Sequence, residues 1–326
     1  MSDGLSRAKA SLATVRTVVV SWNSEGIVGR AAASVPSPAR VVVVDNASKD
    51  GSASEAERAG AVVVRLGENR GFGPACNLGA GEVAGLPPAE TLLFLNPDAA
   101  LLDGSASLEA LLAELDADPR IAAAAPALEG DGQGEFQLRR LPSLGSLARE
   151  AFLVNRLFPR NRGFLRERYL DRDRSVAFDV EQPAAAALLV RASVFAEIGG
   201  FDPAFAPAWF EDVDLCAKIL ESGYRIRFVP AARASHVGGI TMRALPYDDY
   251  LPLYTRNLLR YLRRHAGLPV RAGARAVLAA GALLRLALLP VVRGDHPRPE
   301  AARAYLRVLR GLLGLGFTSA LLPERD

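Results

Sequence analysis

Short apolar runs alternate with segments of helical pattern through the first third of the chain. The pattern predicts strands at residues 17–22, 40–45, 61–66 and 91–95, and helices at residues 24–34, 74–83 and 105–116. Continuous Val and Leu runs are typical of strands buried on both faces, and strands that alternate with helices favour a parallel sheet. Because crossovers are right-handed, we predict an α/β fold with a doubly wound sheet and ligands at the carboxyl ends of its strands.

Two helix starts are marked by residue type. Ser24 is a suitable N-cap for the first helix. Ser52 and Glu55 have the spacing of a capping box, so a short helix is predicted to begin at Ser52.

The regular pattern breaks after Pro126. Residues 131–183 are irregular and contain ten Arg between Arg139 and Arg174. An insertion of this length inside a domain is usually functional or mobile. A strand is predicted again at residues 184–190, a short helix at 193–198 and a strand at 224–229, before helical patterns resume from Tyr250.

Composition narrows the class of protein. A chain of 326 residues, half of them hydrophobic, suits either one large α/β domain with an appendage or two modest domains. Cys76 and Cys216 are far apart in apolar surroundings, so we expect neither disulfides nor a zinc cluster, and a reducing compartment. No signal peptide and no membrane-spanning segment is predicted, because no apolar run reaches the required length.

Charge is unevenly distributed. Residues 251–326 contain 13 Arg, no Lys and four acids, a net charge of +9, and the first 250 residues carry −6. Two interpretations are open: a solvated Arg-rich helical face, or a cationic face for anionic lipid headgroups or a lipid phosphate. Nucleic acid is not an expected partner, because no nucleic-acid motif accompanies the charge.

Two acidic motifs indicate chemistry. Residues 211–214 place three carboxylates directly after Trp209 and Phe210. A carboxylate against apolar surface has a raised proton affinity, which suits a general base. Asn96-Pro97-Asp98 follows the fourth predicted strand, at the edge where ligands and metals bind in such sheets. Together the motifs predict a metal-assisted transfer reaction.

The chain resembles the bacterial family-2 glycosyltransferases, and within them the rhamnosyltransferase-type enzymes of cell-surface polysaccharide assembly. The resemblance extends from about residue 15 to 264. Each motif alone is weak evidence for the family, but six or more motifs in the family's order and spacing are specific. The motifs are residues 18–23, 44–52, 68–73 with Asn77, 95–98, 199–202, 211–215 and His236. The resemblance implies the GT-A nucleotide-diphospho-sugar transferase fold, with a mixed, mostly parallel sheet between helices and a C-terminal helical tail.

The resemblance also implies a domain organisation. Residues 1–16 form an N-terminal extension, and residues 17–250 form the catalytic domain. Its nucleotide-binding half covers residues 17–128 and its acceptor half residues 129–250. Residues 251–326 form a basic, amphipathic helical tail.

The donor site is expected in the nucleotide-binding half. By this resemblance, Asp45 corresponds to the residue that accepts a hydrogen bond from N3–H of uracil or thymine. Asp is also a common turn residue, so Asp45 could instead shape the turn after its strand; the two roles are compatible. Gly71 lets the backbone approach a phosphate, and Arg70 is expected to reach the diphosphate. The alternative is that residues 69–73 form a Gly-rich turn between a strand and a helix with no role in binding. The predicted donor contacts are Ser21, Asn23, Asp45, Asn46, Asn69, Arg70, Gly71, Asn77 and Asn96.

The metal site is implied by the same resemblance. Asn96-Pro97-Asp98 occupies the place of the family's Asp-x-Asp motif, so Asp98 is expected to bind Mg²⁺ or Mn²⁺. Asn96 replaces the first Asp, which removes one negative charge and lowers the expected affinity for the metal. His236 is the expected additional ligand, although a lone His is often structural.

Asp212 corresponds to the family's catalytic base, and Glu211 is expected to tune or orient it. Trp209 either stacks on a sugar ring or belongs to the core. Asp214 is assigned to the acceptor side and is also a candidate cap of the following helix. Residues 184–186 are all Ala where relatives often have a Gly-Ala pair, which leaves the acceptor-side wall undefined.

The expected activity is inverting transfer of a sugar, rhamnose by resemblance, from a dTDP- or UDP-sugar to a hydroxyl of a glycan or polyprenyl-linked acceptor. The expected location is cytoplasmic, peripheral on the inner face of the cell membrane, because the apolar run of residues 276–292 contains Arg285 and suits an interfacial helix. The tail helices are also suited to pairing in an oligomer. The alternatives are a non-catalytic glycan- or nucleotide-binding protein and a sugar nucleotidyltransferase, whose Gly-rich N-terminal loop is absent from residues 22–25.

Overall fold

The computed structural model describes residues 12–130, 136–238, 245–292 and 296–319. Contacts divide the chain into two compact units. Unit 1 comprises Met1–Arg140 and Arg168–Gly238, and unit 2 comprises Leu141–Glu167 and Gly239–Asp326. The functional boundaries expected from the sequence stay predictions.

Unit 1 contains the strands. They are β1 (Val15–Ser21), β2 (Arg40–Asp45), β3 (Val62–Arg65), β4 (Thr91–Leu95), β5 (Ala99–Leu102), β6 (Ile121–Glu129), β7 (Leu138–Arg139), β8 (Phe178–Val180), β9 (Gln182–Pro183), β10 (Ala187–Arg191) and β11 (Arg225–His236).

Helices lie in both units. Those of unit 1 are α1 (Val28–Ala33), α2 (Ser52–Arg58), α3 (Phe72–Ala80), α4 (Ser105–Ala117), α8 (Ala192–Glu197) and α9 (Glu211–Glu221), with a 3-10 turn at Pro203–Phe205. Those of unit 2 are α5 (Leu144–Ala151), α6 (Val154–Leu157), α7 (Arg162–Glu167), α10 (Tyr247–His265), α11 (Leu268–Leu288) and α12 (Arg298–Leu312).

The main sheet has the order β3-β2-β1-β4-β10-β6-β11-β5, and β8 pairs with β11. The first four strands in this order are parallel, whereas β10 runs antiparallel to both β4 and β6. The α/β prediction and the mixed sheet are therefore confirmed. Strand periodicity alone predicted a purely parallel sheet, because it does not reveal the direction in which β10 enters.

The sequence explains the core of this sheet. All seven residues of β1 and all five of β4 are buried, as the apolar runs of residues 18–20 and 92–95 predict for most of these positions. Helix α3 approaches β1 closely at Gly79, where a Cβ atom would lie 2.5 Å from Cγ1 of Val18. A residue with a side chain would therefore push the helix away from the sheet.

The two predicted helix caps are wrong in detail. Helix α1 begins at Val28, and Ser24 contributes its carbonyl oxygen to the Val28 N–H rather than a side-chain cap. Helix α2 begins at Ser52 without a side-chain cap. Glu55 instead accepts hydrogen bonds from the N–H groups of Gly26 (2.6 Å) and Gly29 (2.9 Å), so it stabilises the start of α1.

Strand β11 is twice as long as its apolar run predicts. It passes Pro230 with a register shift between Val229 and Arg233, and then pairs with β5 as far as His236. The bulge absorbs the proline, which ordinarily ends a central strand. As a result, His236 lies opposite Ala99, directly after Asp98.

Unit 2 is helical. Arg285 of α11 donates to the carbonyl oxygens of Ala151 (2.6 Å) and Glu150 (2.7 Å) at the end of α5. Arg303 and Arg307 of α12 pair with carboxylates in the first turn of α10. Within the described residues, no helix combines the length and the apolar character needed to cross a membrane.

Candidate functional site

The carboxyl ends of β1, β2 and β4 meet at one edge of the sheet in unit 1. Ser21 and Asp45 are register partners at the ends of β1 and β2. Asn96 and Asp98 follow β4, which is the other neighbour of β1. The fold thus brings together predicted donor and metal residues that are up to 77 positions apart (21 to 98).

Asp45 has an unusual environment at this edge. Its side chain is 5% exposed, and its Oδ1 atom has no hydrogen-bond partner among the described residues. The neighbouring Ser21 hydroxyl is fully buried and equally without a partner there. Buried polar atoms are nearly always satisfied, because leaving one unpaired costs about 1–3 kcal/mol. Such atoms at a ligand-binding edge indicate that a ligand supplies the missing donor.

The loop between β3 and α3 is held by side-chain amides. Asn46 donates to the Asn69 amide oxygen (2.9 Å) and accepts from the Arg70 N–H (2.9 Å). Gly71 has φ +86°, and a Cβ atom there would lie 2.9 Å from the carbonyl oxygen of Pro207. Asn46 and Asn69 therefore shape the loop that presents Arg70, whose side chain is half exposed.

Asn23 and Asn77 also make contacts inside the protein. Asn23 accepts from the Lys49 N–H (2.9 Å), which ties the loop after β1 to the loop after β2. The Asn77 amide donates to the Phe201 carbonyl (2.7 Å) and accepts from the Phe201 N–H (2.9 Å). Asn77 thus anchors the turn that leads to α9. Direct contact of either residue with a nucleotide stays a prediction.

Asp98 and His236 form the centre of the expected metal site. His236 Nε2 lies 3.3 Å from Asp98 Oδ1 and 3.5 Å from the Asn96 amide nitrogen, and the Gly238 N–H donates to Asp98 Oδ2 (3.1 Å). Burial opposes the ionised form of Asp98, but the hydrogen bond and Coulomb attraction of His236 outweigh it and lower the pKa of the carboxyl group. An ionised carboxylate beside an imidazole fits a divalent cation.

This donor set is small. In the part of the chain that the structure describes, no group of three or more His, Cys, Asp or Glu side chains is arranged to hold a metal ion. A metal ion bound by Asp98 and His236 would therefore need further ligands, such as diphosphate oxygens or water.

The acidic motif begins helix α9. Glu211 is 9% exposed, and its Oε2 atom has no hydrogen-bond partner among the described residues. Burial, and then the charge of Asp212, raises the pKa of Glu211 to about 8. Asp212 is only partly buried; its Oδ1 accepts from the Val213 N–H (2.8 Å) and its Oδ2 from Gln182 Nε2 (3.2 Å). Glu211 is therefore mostly protonated at neutral pH.

Two partners of Asp212 were missed by sequence reasoning. Burial raises the pKa of Asp212, and the Arg139 charge opposes this together with the hydrogen bonds from Val213 and Gln182. Arg139 and Gln182 are paired with each other in the two-stranded sheet of β7 and β9. Neither strand exceeds two residues, so no periodicity in the sequence could have revealed them.

The residues around the acidic motif are structurally constrained. Trp209 and Phe210 have positive φ values of 71° and 73°, which bulky residues rarely adopt. Asp214 has no exposed surface and pairs with Lys218 (3.2 Å), so it does not cap α9 and lies in the interior rather than on an acceptor surface. Trp209 is partly buried, which fits both of its predicted roles.

Contacts within unit 1 involve the acidic motif and the residues predicted for donor binding. A Cβ atom on Gly73, at the start of α3, would lie 3.6 Å from Cβ of Glu211. The Asn96 N–H donates to the carbonyl of Ala186 (2.9 Å), in the segment that follows Gln182. The acidic motif therefore contacts the start of α3, and the segment between Gln182 and β10 contacts Asn96, which follows β4.

We expect Glu211→Gln to raise the free energy of unfolding at alkaline pH. The pKa of Glu211 rises from 4.5 to about 8 on folding, so between these values the native state binds more protons and loses stability as pH increases. Gln removes this penalty, which is absent below about pH 4 and complete above about pH 8. Urea unfolding of wild type, Glu211→Gln and the exposed control Glu109→Gln across this range measures it. If the free energy of unfolding changes with pH in the same way in wild type and Glu211→Gln, the raised pKa of Glu211 is wrong.

Comparison with known proteins gives the family. The model of the family described as Glycosyl transferase family 2 matches residues 17–185, just over half of the chain. The chain is 32% identical over 212 residues to an N-acetylglucosaminyl-diphospho-decaprenol L-rhamnosyltransferase of Mycobacterium tuberculosis. That match covers 61% of this chain and 66% of the relative, slightly less than two thirds of its length.

Solved structures give the fold. A mannosyltransferase of Pyrobaculum calidifontis, in complex with GDP-Man and Mn²⁺, superposes with a TM-score of 0.53 at 18% identity, over 95% of this chain and 86% of that one. GalNAc-T7, with UDP, GalNAc and Mn²⁺, gives 0.55 at 17% identity, over 76% and 48%. These matches confirm the predicted GT-A fold. The family match, over more than half of the chain, establishes that the chain belongs to glycosyl transferase family 2.

Proposed function

We propose that this protein is an inverting glycosyltransferase that moves a sugar, rhamnose in preference, from a dTDP- or UDP-sugar to an acceptor hydroxyl. The observation that carries the proposal is the buried Oδ1 of Asp45, unpaired within the described residues, at the sheet edge that also bears Asp98. The mycobacterial relative, an L-rhamnosyltransferase for N-acetylglucosaminyl-diphospho-decaprenol, supports rhamnose as the sugar and a lipid-linked glycan as the acceptor.

Asp45 is the proposed recognition residue for the base. Uracil and thymine both present an N3–H donor, which would satisfy the unpaired oxygen of Asp45. Ser21 offers a second unsatisfied group beside it. Arg70, presented by the loop that Asn46 holds, is the proposed contact of the diphosphate.

Asp98 and His236 are the proposed metal ligands, with Asn96 beside them. Mg²⁺ or Mn²⁺ would supply positive charge that stabilises the leaving diphosphate. Both solved structures named above contain Mn²⁺ with a nucleotide, which supports this class of ion.

Asp212 is the proposed general base. The acceptor hydroxyl transfers its proton to the Asp212 carboxylate while its oxygen forms a bond to the anomeric carbon. The bond from that carbon to the diphosphate oxygen breaks on the opposite face, and the nucleoside diphosphate leaves with the electron pair. Glu211, protonated near neutral pH, keeps a second negative charge away from Asp212. Gln182 and Arg139 orient and stabilise the carboxylate.

We expect Asp45→Ala to weaken binding of UDP and dTDP by roughly 10- to 100-fold, because a hydrogen bond to a charged acceptor is lost. The unliganded protein should keep or gain thermal stability, because the substitution removes a buried polar atom that lacks a partner within the described residues. Calorimetric titration and thermal unfolding measure the two effects. Asp50→Asn is the control, since Asp50 accepts hydrogen bonds from the Glu25 N–H, the Ser52 N–H and the Ser52 hydroxyl in the neighbouring turn. Unchanged UDP and dTDP affinity in Asp45→Ala would refute base recognition.

The proposed location is the inner face of the cytoplasmic membrane of a bacterium. Residues 251–292 contain seven Arg and neither Asp nor Glu, which favours contact with anionic lipid. If the purified protein does not bind anionic vesicles, the proposed membrane location is wrong, whereas the proposed catalytic activity is unaffected.

A further inference from the structure

Two large apolar side chains are exposed in succession at the turn between α6 and α7. Leu157, the last residue of α6, is 69% exposed, and Phe158, which follows it, is 64% exposed. Single apolar residues on a protein surface need no explanation, whereas adjacent ones of this size and exposure point to a contact outside the chain. We call Leu157 and Phe158 the apolar tip.

The turn that carries the apolar tip is held by hydrogen bonds. The Asn161 side-chain amide donates to the Phe158 carbonyl (2.9 Å) and to Asn155 Oδ1 (3.0 Å). Its Oδ1 atom accepts from the Phe164 N–H (2.9 Å) in the first turn of α7. The Phe158 N–H donates to the Val154 carbonyl (2.8 Å). Both backbone groups of Phe158 are therefore satisfied within the turn, so this residue can enter an apolar medium without an unpaired backbone group.

The chain segments on either side of the turn are fixed to each other. Arg149 of α5 pairs with Glu167 of α7 (2.7 Å), and both side chains are partly buried. A Cβ atom on Gly163 would lie 2.8 Å from Cζ of Arg149, so α7 packs directly on this side chain. The apolar tip is thus presented by a closed hairpin of the chain, which limits the conformational entropy lost when the tip binds.

Positive charge surrounds the apolar tip. Residues 151–166 contain neither Asp nor Glu. They contain four Arg, all exposed: Arg156, Arg160, Arg162 and Arg166. Within the described part of the chain, the side chains of Arg160 and Arg162 have no ion-pair or hydrogen-bond partner. The turn therefore combines exposed apolar surface with uncompensated positive charge.

A bilayer with anionic headgroups fits this combination. Interfacial segments bury aliphatic and aromatic side chains at the boundary between headgroups and acyl chains. Arg side chains beside them stay at headgroup level and are attracted by the negative surface potential of anionic lipids. A second protein fits less well, because a stable interface buries about 800 Å² on each partner. Two side chains, with at most roughly 250 Å² each, supply only part of that area.

We propose that the apolar tip inserts into the headgroup region of an anionic bilayer, with Arg160 and Arg162 in contact with lipid phosphate. This contact rests on the proposed membrane location, but it lies at the α6–α7 turn rather than in residues 251–292. In that range, Arg285 donates to the Ala151 carbonyl (2.6 Å), so part of its positive charge is used inside the protein. The α6–α7 turn supplies exposed apolar side chains as well as charge.

The apolar tip is tested with Leu157→Ser combined with Phe158→Ser in the full chain. Sedimentation with phosphatidylglycerol–phosphatidylcholine vesicles measures binding, and Val176→Ser, at an exposed apolar position of unit 1, is the control. We expect the double variant to bind about tenfold or more weakly and the control to match wild type. Wild-type affinity in the double variant would overturn insertion of the tip but leave the membrane location standing. A wild type that binds no vesicles would overturn both, whereas turnover of a nucleotide-sugar tests the catalytic proposal separately.

The charge is tested with Arg160→Gln combined with Arg162→Gln. Arg40→Gln with Arg58→Gln is the control, since it removes equal charge from exposed positions of unit 1. On vesicles that contain phosphatidylglycerol, we expect roughly tenfold weaker binding for the first variant and near wild-type binding for the second. Equal losses in the two variants would mean that only net charge matters, and would overturn the assigned phosphate contact.

Insertion is tested with Phe158→Trp, which reports on the tip itself and keeps a large apolar side chain. Relative to wild type, the added fluorescence should shift to shorter wavelength on vesicles and be quenched by lipids brominated on the acyl chain. Added fluorescence that brominated lipid does not quench would exclude insertion. Sedimentation velocity identifies the competing occupant: if the double Ser variant binds vesicles like wild type but converts a dimer into a monomer, the tip joins two copies of the chain. Thermal unfolding confirms that each variant is folded.

Discussion

Asp212→Asn is expected to lower kcat by about a thousandfold, within the range of roughly 10²–10⁴ that general-base catalysis contributes. The amide keeps the size of the side chain and can still accept the Val213 N–H bond, but it cannot take up the proton of the acceptor hydroxyl. Donor binding should stay within about twofold of wild type, because Asp45 and Asp98 lie on other strand ends.

The measurement is release of nucleoside diphosphate from dTDP- and UDP-sugars, together with calorimetric donor binding. Asp116→Asn, an exposed substitution on α4, is the matched control and should retain full activity. Full turnover in Asp212→Asn would exclude this residue as the base. If the wild type binds donor but transfers no sugar to any glycan or polyprenyl-linked acceptor, the alternative of a non-catalytic binding protein gains ground.

The environment of the two acids explains why Asp212 rather than Glu211 is assigned as base. Glu211 is more deeply buried and has a pKa of about 8, so it is mostly protonated at neutral pH. Asp212 is more exposed and has Gln182, the Val213 N–H and the charge of Arg139 in support of its ionised form. The raised pKa that burial gives Asp212 makes it a stronger base than a solvated carboxylate.

The elements near the sheet edge that carries Asp45 and Asp98 were predictable, because their sequence signals are local. Residues 91–95 form β4 with the predicted bounds, and β2 ends at Asp45 as its Val run indicates. Continuous apolar runs between turn residues give strand positions directly. The positions of Asp45 and Asp98 at strand ends followed from this pattern alone.

The contacts that support the proposed site residues were not predictable from the sequence, because they join distant parts of the chain. Asn77 holds Phe201 across 124 positions, and Gln182 reaches Asp212 across 30. His236 approaches Asp98 only because β11 continues past a bulge that its apolar pattern does not announce. Such pairings are set by tertiary packing, which overrides local propensity.

Asp98→Asn is expected to remove most of the metal-dependent part of nucleoside diphosphate binding, a loss of roughly a hundredfold in metal affinity. Asn96 carries no charge, so Asp98 is the proposed carboxylate of this site, and His236 at 3.3 Å would lose its charged partner. The substitution keeps an oxygen that can accept the Gly238 N–H, so the local backbone should be preserved.

Calorimetry of UDP and dTDP with Mn²⁺, with Mg²⁺ and with EDTA measures this loss without reference to turnover. In wild type, EDTA should weaken nucleotide binding, and in Asp98→Asn it should make little further difference. Asp103→Asn is the matched control: this exposed carboxylate is five residues away, pairs with Arg233, and has a positive φ that Asn adopts readily. If Mn²⁺ increases the nucleotide affinity of wild type and Asp98→Asn equally, the metal ion binds elsewhere. A wild type that binds nucleotide equally well in EDTA would instead mean that positive side chains such as Arg70 hold the diphosphate, consistent with a site in which Asn96 has replaced an acid.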